Sequence, residues 1–235
     1  MTQRNCSSLT HTPATLAAAT PAPKNVTPPS WYKPRIRVAT TDDGAPRVYK
    51  RYPMPGSAAN AYFRLLATHE FSMLKQMDHF SFTPNSPCLN SANLTLSYSY
   101  LRGTPLKSWP RHTPLPAEFF RALIAASRQM HQHQLVHLDL GNAGNILVSP
   151  SHQPLIIDFG SALNTSRLPA VIRCWMMRKD TLGILKLWYK FSRDTMPSAH
   201  QEYFLRHYRK NIYTPKRLKK ALKRLILRKL GVAGR

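Results

Sequence analysis

Acidic residues are scarce in this chain: Asp and Glu number 10 against 34 Lys and Arg, a formal net charge of +24 over 235 residues. Such an imbalance favours polyanionic partners, whether nucleic acid, an anionic membrane face or a phosphorylated substrate, and says nothing about fold. Cysteine is scarcer still. Cys6, Cys88 and Cys174 are odd in number, far apart and free of CxxC or zinc-like spacing. They argue against a disulfide framework and a zinc site, and for a reducing compartment. No apolar run approaches the ~20 residues that cross a bilayer. The Thr/Ala/Pro-rich start lacks the apolar core of a signal peptide. The expectation is a cytoplasmic protein, soluble or lying on a membrane.

What is present is 43% hydrophobic residues, enough for one core or one two-lobed domain. Residues 1–30 hold Thr, Ala, Ser and Pro with little aromatic content, the composition of a disordered tail. Structure is expected to begin near Trp31. Arg35–Thr40 alternates as a strand, Thr41-Asp42-Asp43-Gly44 signals a turn, and Arg47–Tyr52 reads as the return strand. Ser57 is expected to cap a helix to about Met77, with Tyr62, Leu66, Met73, Leu74 and Met77 near one face. A Pro- and Asn-rich loop precedes a strand over Leu94–Leu101. Pro116 opens a helix striped by Phe119, Leu123, Ala126 and Met130. Ile146-Leu147-Val148 and Leu155-Ile156-Ile157 form a short hairpin. Helices follow over Arg178–Phe191, Ser198–Arg209 and Lys216–Leu230. Strands with one helix, then mostly helices, give an α+β chain with two lobes.

The chemistry concentrates in LVHLDLGNAGNILVSPSHQPLIIDFGSAL, residues 135–163. His137-x-Asp139 precedes a polar Gly/Asn loop, Asn145 leads into a strand, and Asp158-Phe159-Gly160 follows the hairpin. Two carboxylates and an amide thereby reach the ends of adjacent short strands. Phosphoryl transfer needs such a set: oxygen ligands to hold Mg²⁺ against a triphosphate, and a carboxylate to orient the attacking hydroxyl.

Here the sequence resembles the protein-kinase superfamily, whose loop reads H-x-D-L-x-x-x-N and whose metal motif is D-F-G. The resemblance extends to Lys50 in Val48-Tyr49-Lys50, where the family keeps its phosphate-binding lysine, and to Glu70 in the next helix, where its pairing glutamate belongs. Tyr98-Ser99-Tyr100-Leu101-Arg102-Gly103 resembles the strand and hinge behind the adenine. Asp180 matches the helix aspartate that braces the catalytic loop. Of only ten acidic residues, Glu70, Asp139, Asp158 and Asp180 all fall at such positions, which surface solvation does not explain. Within the superfamily the chain is most similar to the compact bacterial lipopolysaccharide kinases that phosphorylate Kdo or heptose sugars, with the RIO- and Bud-type small kinases also close.

The resemblance implies an α+β, two-lobed protein-kinase-like fold with a small β-rich N-lobe over 31–103 and a short, mostly helical C-lobe over 104–213. A basic amphipathic helix would occupy 214–235. It implies an ATP-dependent phosphotransferase with ATP and Mg²⁺ as cofactors. Asp139 would be catalytic, Lys50, Glu70, Tyr98 and Tyr100 would bind the nucleotide, and Asn145 and Asp158 would hold the metal. The acceptor would be a hydroxyl of a glycolipid sugar or of a protein Ser/Thr. The +24 charge makes an anionic membrane surface a partner, at the cytoplasmic face of the inner membrane, with RNA as the other polyanion.

Three departures keep a second reading open, that of a pseudokinase acting as a basic binding module. Asn145 stands six positions after Asp139, where the pattern has five. The loop lacks the basic residue that commonly follows the aspartate. No glycine-rich phosphate loop precedes the lysine strand, and residues 20–34, where it would fall, contain no glycine. One extra residue can displace Asn145 by up to ~3.3–3.6 Å. The expectation is a bulge within 141–144 using positive φ at Gly141 and Gly144, with Asn142 tolerating it. Asn142 stays open as the alternative metal ligand.

Overall fold

The computed structural model describes residues 33–208 apart from Pro55. The expected tail over 1–30, most of the 20–34 segment, the boundaries at 30/31 and 213/214, and the helix over 216–230 lie outside the described residues.

Strands β1 (Arg35–Thr40) and β2 (Pro46–Arg51) form a hairpin. Its turn is closed by bonds from Thr41 N to Ala45 O and from Gly44 N to Thr41 O, with Gly44 at φ +82°. That left-handed conformation costs glycine little. Helix α1 (Ser57–Met77) follows, then β3 (Cys88–Asn90) and β4 (Thr95–Ser99). The four strands form an antiparallel sheet in the order β1-β2-β4-β3. Strand β3, inside the Pro- and Asn-rich stretch, was not anticipated, because three residues are too few to show a period.

Alternation along β2 and β4 turns Lys50, Leu96 and Tyr98 toward α1, with Tyr52 just beyond β2 also buried. The helix answers with Phe63, Ala67, Glu70, Leu74 and Met77, all buried. Of the expected face, Met73, Leu74 and Met77 are buried, and Tyr62 and Leu66 are half-buried at its edge against the core. The true stripe contains Glu70, a residue that an apolar pattern passes over.

The chain then enters the helical part. A second sheet joins β5 (Thr104–Pro105), β7 (Ile146–Val148) and β8 (Pro154–Ile156) in the order β5-β7-β8. A two-stranded ladder pairs β6 (Leu135–Val136) with β9 (Leu163–Asn164). Helix α2 (Ala117–Gln132) buries Phe119, Leu123, Ala126 and Met130 as expected, together with Phe120 and Ile124. Helix α3 (Ala170–Phe191) lies beside it, and Trp188 stacks on Phe120 with ring centroids 5.2 Å apart. Each such fully buried side chain contributes on the order of 1.5–3 kcal/mol of transfer free energy. Helix α4 (Ser198–His207) closes the described chain. Helix α3 starts well before the expected Arg178, because Val171, Ile172 and Trp175 in its first turns are exposed and give no apolar stripe. Among the described residues Cys174 carries a free, exposed thiol. No helix among the described residues is long and apolar enough to cross a membrane.

Candidate active site

The site begins with a buried lysine. Lys50 is 7% exposed, its Nζ donating to Glu70 Oε1 at 2.7 Å and Oε2 at 2.8 Å and lying 3.2 Å from Asp158 Oδ1. Burial pushes the Lys50 ammonium down, but the Glu70 and Asp158 carboxylates outweigh it and hold the group well above its usual range. Tyr52, two residues further along the strand direction, donates its hydroxyl to Glu70 Oε2. Burial, then the Glu70 charge, raises the Tyr52 phenol, so it stays a donor. Sequence reasoning did not single out Tyr52. The available signal was its i+2 position, which shares a strand face with Lys50.

Gly160 is what lets Asp158 approach this pair. A Cβ there would lie 3.3 Å from Glu70 Oε2 and 3.6 Å from Asp158 Oδ1. Immediately before Glu70 in α1, His69 Nε2 donates to Ala162 O at 2.9 Å. Asp158 itself is at φ +66° and its side chain is 52% exposed, so it borders the cleft rather than the core.

The loop that carries Asp139 is held by Asp180, which is 1% exposed. Its oxygens accept the amides of His137 at 2.8 Å and Leu138 at 2.7 Å, and His131 Nε2 lies 3.2 Å away. Those two bonds fix Leu138 at φ +63°, a conformation disfavoured for leucine. His137 is fully buried, accepting the Asp139 amide at Nδ1 (3.3 Å) and facing Ile157 O with Nε2 (3.2 Å). Those partners assign the proton to Nε2.

The extra residue between Asp139 and Asn145 is taken up by two successive turns. Asn142 N donates to Asp139 O at 3.1 Å, and Asn145 N to Asn142 O at 2.9 Å. This corrects the expected left-handed bulge: the residues at positive φ do not include Gly141, Asn142 or Gly144. Both asparagines reach Asp139. Asn145 Nδ2 donates to Asp139 Oδ2 at 3.0 Å and to its carbonyl at 3.3 Å. Asn142 Nδ2 bridges Asn145 Oδ1 at 2.9 Å and Asp139 Oδ2 at 3.3 Å. Ile157 N donates to Asn145 O at 2.9 Å, which ties the root of β7 to the residue before Asp158.

The two tyrosines separate. Tyr98 is buried on the inner face of β4 near Lys50, and burial raises its phenol. Tyr100, 37% exposed, lies past the strand end with its amide donating to Pro46 O at 3.1 Å. The structure thus gathers Lys50, Glu70, Tyr98 and Asp158 around one cleft wall, and Asp139, Asn142 and Asn145 around the loop.

The donor set suits a hard cation only with help. Asp158 and Asn145 offer a carboxylate and an amide oxygen, and among the described residues no group of three or more His, Cys, Asp or Glu could hold a metal. Mg²⁺ is characteristically bound this way, by one or two protein oxygens completed by substrate phosphates and water.

Comparison with known proteins agrees with this geometry. No curated protein matches the chain. Solved structures that share its fold include two of Rio2 kinase. The Rio2 kinase of Chaetomium thermophilum, as an ADP/Mg²⁺-phosphoaspartate complex, gives a TM-score of 0.54 at 21% identity, covering 73% of this chain and 57% of that one. Another Rio2 kinase structure from the same organism gives 0.55 at 22% identity, covering 74% and 59%. The chain therefore spans under two-thirds of the length of either. The RIO domain profile matches residues 44–202. That match contains every site residue described above, and the chain belongs to the RIO domain family.

Proposed function

We propose that this chain is an ATP-dependent kinase that transfers the γ-phosphate to a hydroxyl. The observation that carries the reading is the buried Lys50–Glu70 pair with Asp158 Oδ1 3.2 Å from the same ammonium. A lysine so held suits the α- and β-phosphates, and Tyr52 keeps the glutamate from turning away. Asp158 and Asn145 would hold Mg²⁺, which supplies charge neutralisation for the phosphates. Tyr98 lies at the inner wall of the nucleotide cleft, and Tyr100 at its rim. Asp139 orients the acceptor. The acceptor oxygen bonds to the γ-phosphorus, the bond from that phosphorus to the bridging oxygen breaks, ADP takes the electron pair, and the hydroxyl proton passes to Asp139. The family and the ADP/Mg²⁺ complex of the Rio2 relative support ATP and Mg²⁺ as cofactors.

The test is Mg²⁺-dependent turnover of γ-labelled ATP by the full chain, offered a glycolipid sugar acceptor and a Ser/Thr peptide. Label on either hydroxyl is the expected result, and no transfer with or without Mg²⁺ overturns the reading. The phosphoaspartate of the Rio2 complex makes an aspartate a second acceptor class. Hydroxylamine separates the two, since it cleaves an acyl phosphate and spares a phosphate ester.

We further propose that the reaction runs in the cytoplasm against an anionic lipid surface, with a glycolipid sugar as acceptor ahead of a protein. Support comes from the first turns of α3, where Val171 is 81% and Trp175 50% exposed. Arg173, Arg178 and Lys179 lie among them, the Lys179 Nζ 4.5 Å from the Trp175 ring centroid. An apolar tip rimmed by cations suits the headgroup region. The full chain should bind anionic vesicles, lose binding as salt rises, and bind about tenfold less tightly as Trp175→Ala. Equal binding to neutral vesicles, or an unaffected variant, would count against the surface.

A further inference from the structure

Helix α3 meets the catalytic loop with no side chain between them. A Cβ on Gly183 would lie 2.7 Å from Gly141 N and 3.1 Å from Gly141 Cα, and one on Gly141 would lie 3.3 Å from Gly183 Cα. Glycine at both positions lets the two backbones approach this closely. Lys186 follows Gly183 by three residues and so shares its face of the helix. Its Nζ donates to Gly141 O at 2.6 Å and would lie 3.3 Å from a Cβ on Gly141. The ammonium therefore sits against the turn that begins at Asp139, in which Asn142 N donates back to Asp139 O at 3.1 Å. The loop brings no cation of its own: between Asp139 and Asn145 stand only Leu140, Gly141, Asn142, Ala143 and Gly144.

We propose that Lys186 is the cation that neutralises the transferred phosphoryl group beside Asp139, supplied by helix α3 in place of the loop. The inference rests on the phosphotransferase reading. In such a transfer, charge spreads over the three oxygens of the moving group, and a cation fixed beforehand stabilises it without reorganisation. A lysine suits the position because its ammonium keeps its full charge while it holds the Gly141 carbonyl. The Gly141–Gly183 contact is the device that brings it within reach.

The experiment compares wild type with Lys186→Gln, which keeps a donor for Gly141 O without the charge, and with Lys186→Arg, which keeps charge. Three quantities are read on the full chain with Mg²⁺: melting temperature, affinity for ADP, and affinity for a non-hydrolysable ATP analogue. The Gln variant should bind ADP as wild type does and lose about tenfold in its preference for the triphosphate analogue. Its kcat should fall by about a hundredfold, and the Arg variant should recover most of both. An unchanged ADP-to-analogue ratio in Lys186→Gln, whatever its melting temperature, overturns the inference and leaves Lys186 a structural tie. Should Lys186→Gln fail to fold, the Arg variant decides: loss of the analogue preference in a folded, charged variant overturns it equally. Wild type that binds neither nucleotide sinks the phosphotransferase reading itself, a result distinct from either.

Discussion

Asp139→Asn should lower phosphoryl transfer about a thousandfold while leaving ATP affinity within a factor of two, the usual range for removing a positioned proton acceptor. The geometry makes this a clean substitution. Asp139 Oδ2 accepts from Asn142 and Asn145, and an asparagine keeps one oxygen for those donors, so the two turns of the loop should persist. The amides of His137 and Leu138 stay on Asp180, and the Lys50 cluster stands apart from the change. What is lost is the charge that takes the hydroxyl proton. Single-turnover transfer measured beside calorimetric ATP binding separates the two effects. A variant that transfers phosphate at half the wild-type rate would remove Asp139 from the mechanism and hand the role to another group.

The second large effect is on stability. Glu70→Ala should cost about 3–5 kcal/mol, because it strands a buried ammonium rather than merely deleting a contact. Lys50 would keep only Asp158, which is half in solvent, and the Tyr52 hydroxyl would lose its acceptor. For a chain of this size the melting temperature should fall by roughly 10 °C. Lys50→Met strands the buried Glu70 carboxylate with only the Tyr52 hydroxyl, so it should also be destabilising, and it should abolish turnover. The pH dependence has a definite sign. Lys50, Tyr52 and Tyr98 all have folded values above their ordinary ones. Their stabilisation is complete below the unfolded values, near pH 10, and is lost as pH rises through the folded ones. These groups therefore leave stability flat through neutral pH and erode it only in strong alkali. Chemical denaturation of wild type and Glu70→Ala at pH 7 and pH 10.5 reads both effects. A Glu70→Ala protein as stable as wild type at pH 7 would show that Lys50 is solvated.

Much of this was legible in the sequence because the motif residues are few and ordered. In a chain with ten acidic residues, Glu70, Asp139, Asp158 and Asp180 stood out, and the structure brings each to a defined partner. Strand β1 and the extent of α1 followed from turn chemistry and periodicity, but the N-cap is Gly56 and not the expected Ser57. The apolar stripe of α1 omitted Phe63 and Ala67, which share the inward face with Glu70. Tyr52 entered only as the end of the return strand, although its i+2 position puts it on the Lys50 face. The loop at Gly141 and Gly144 was expected to use glycine for positive φ, yet at Gly141 the demand comes from Gly183, 42 positions on, through a backbone approach that no local pattern records. The early turns of α3 hid for the opposite reason, since their apolar residues face outward.

Helix α1 is fastened at two neighbouring residues to two different walls. Glu70 grips Lys50 and Tyr52 on the sheet, while His69 grips the Ala162 carbonyl beyond Gly160. Asn164 adds a third tie, its amide donating to Gln76 one and a half turns on, at 2.6 Å. Swinging the helix outward would break all three at once and leave a buried carboxylate without its lysine. The helix therefore has no inexpensive second position, and any breathing of the cleft has to carry α1, the central strand β2 and the Asp158 segment together as one rigid piece.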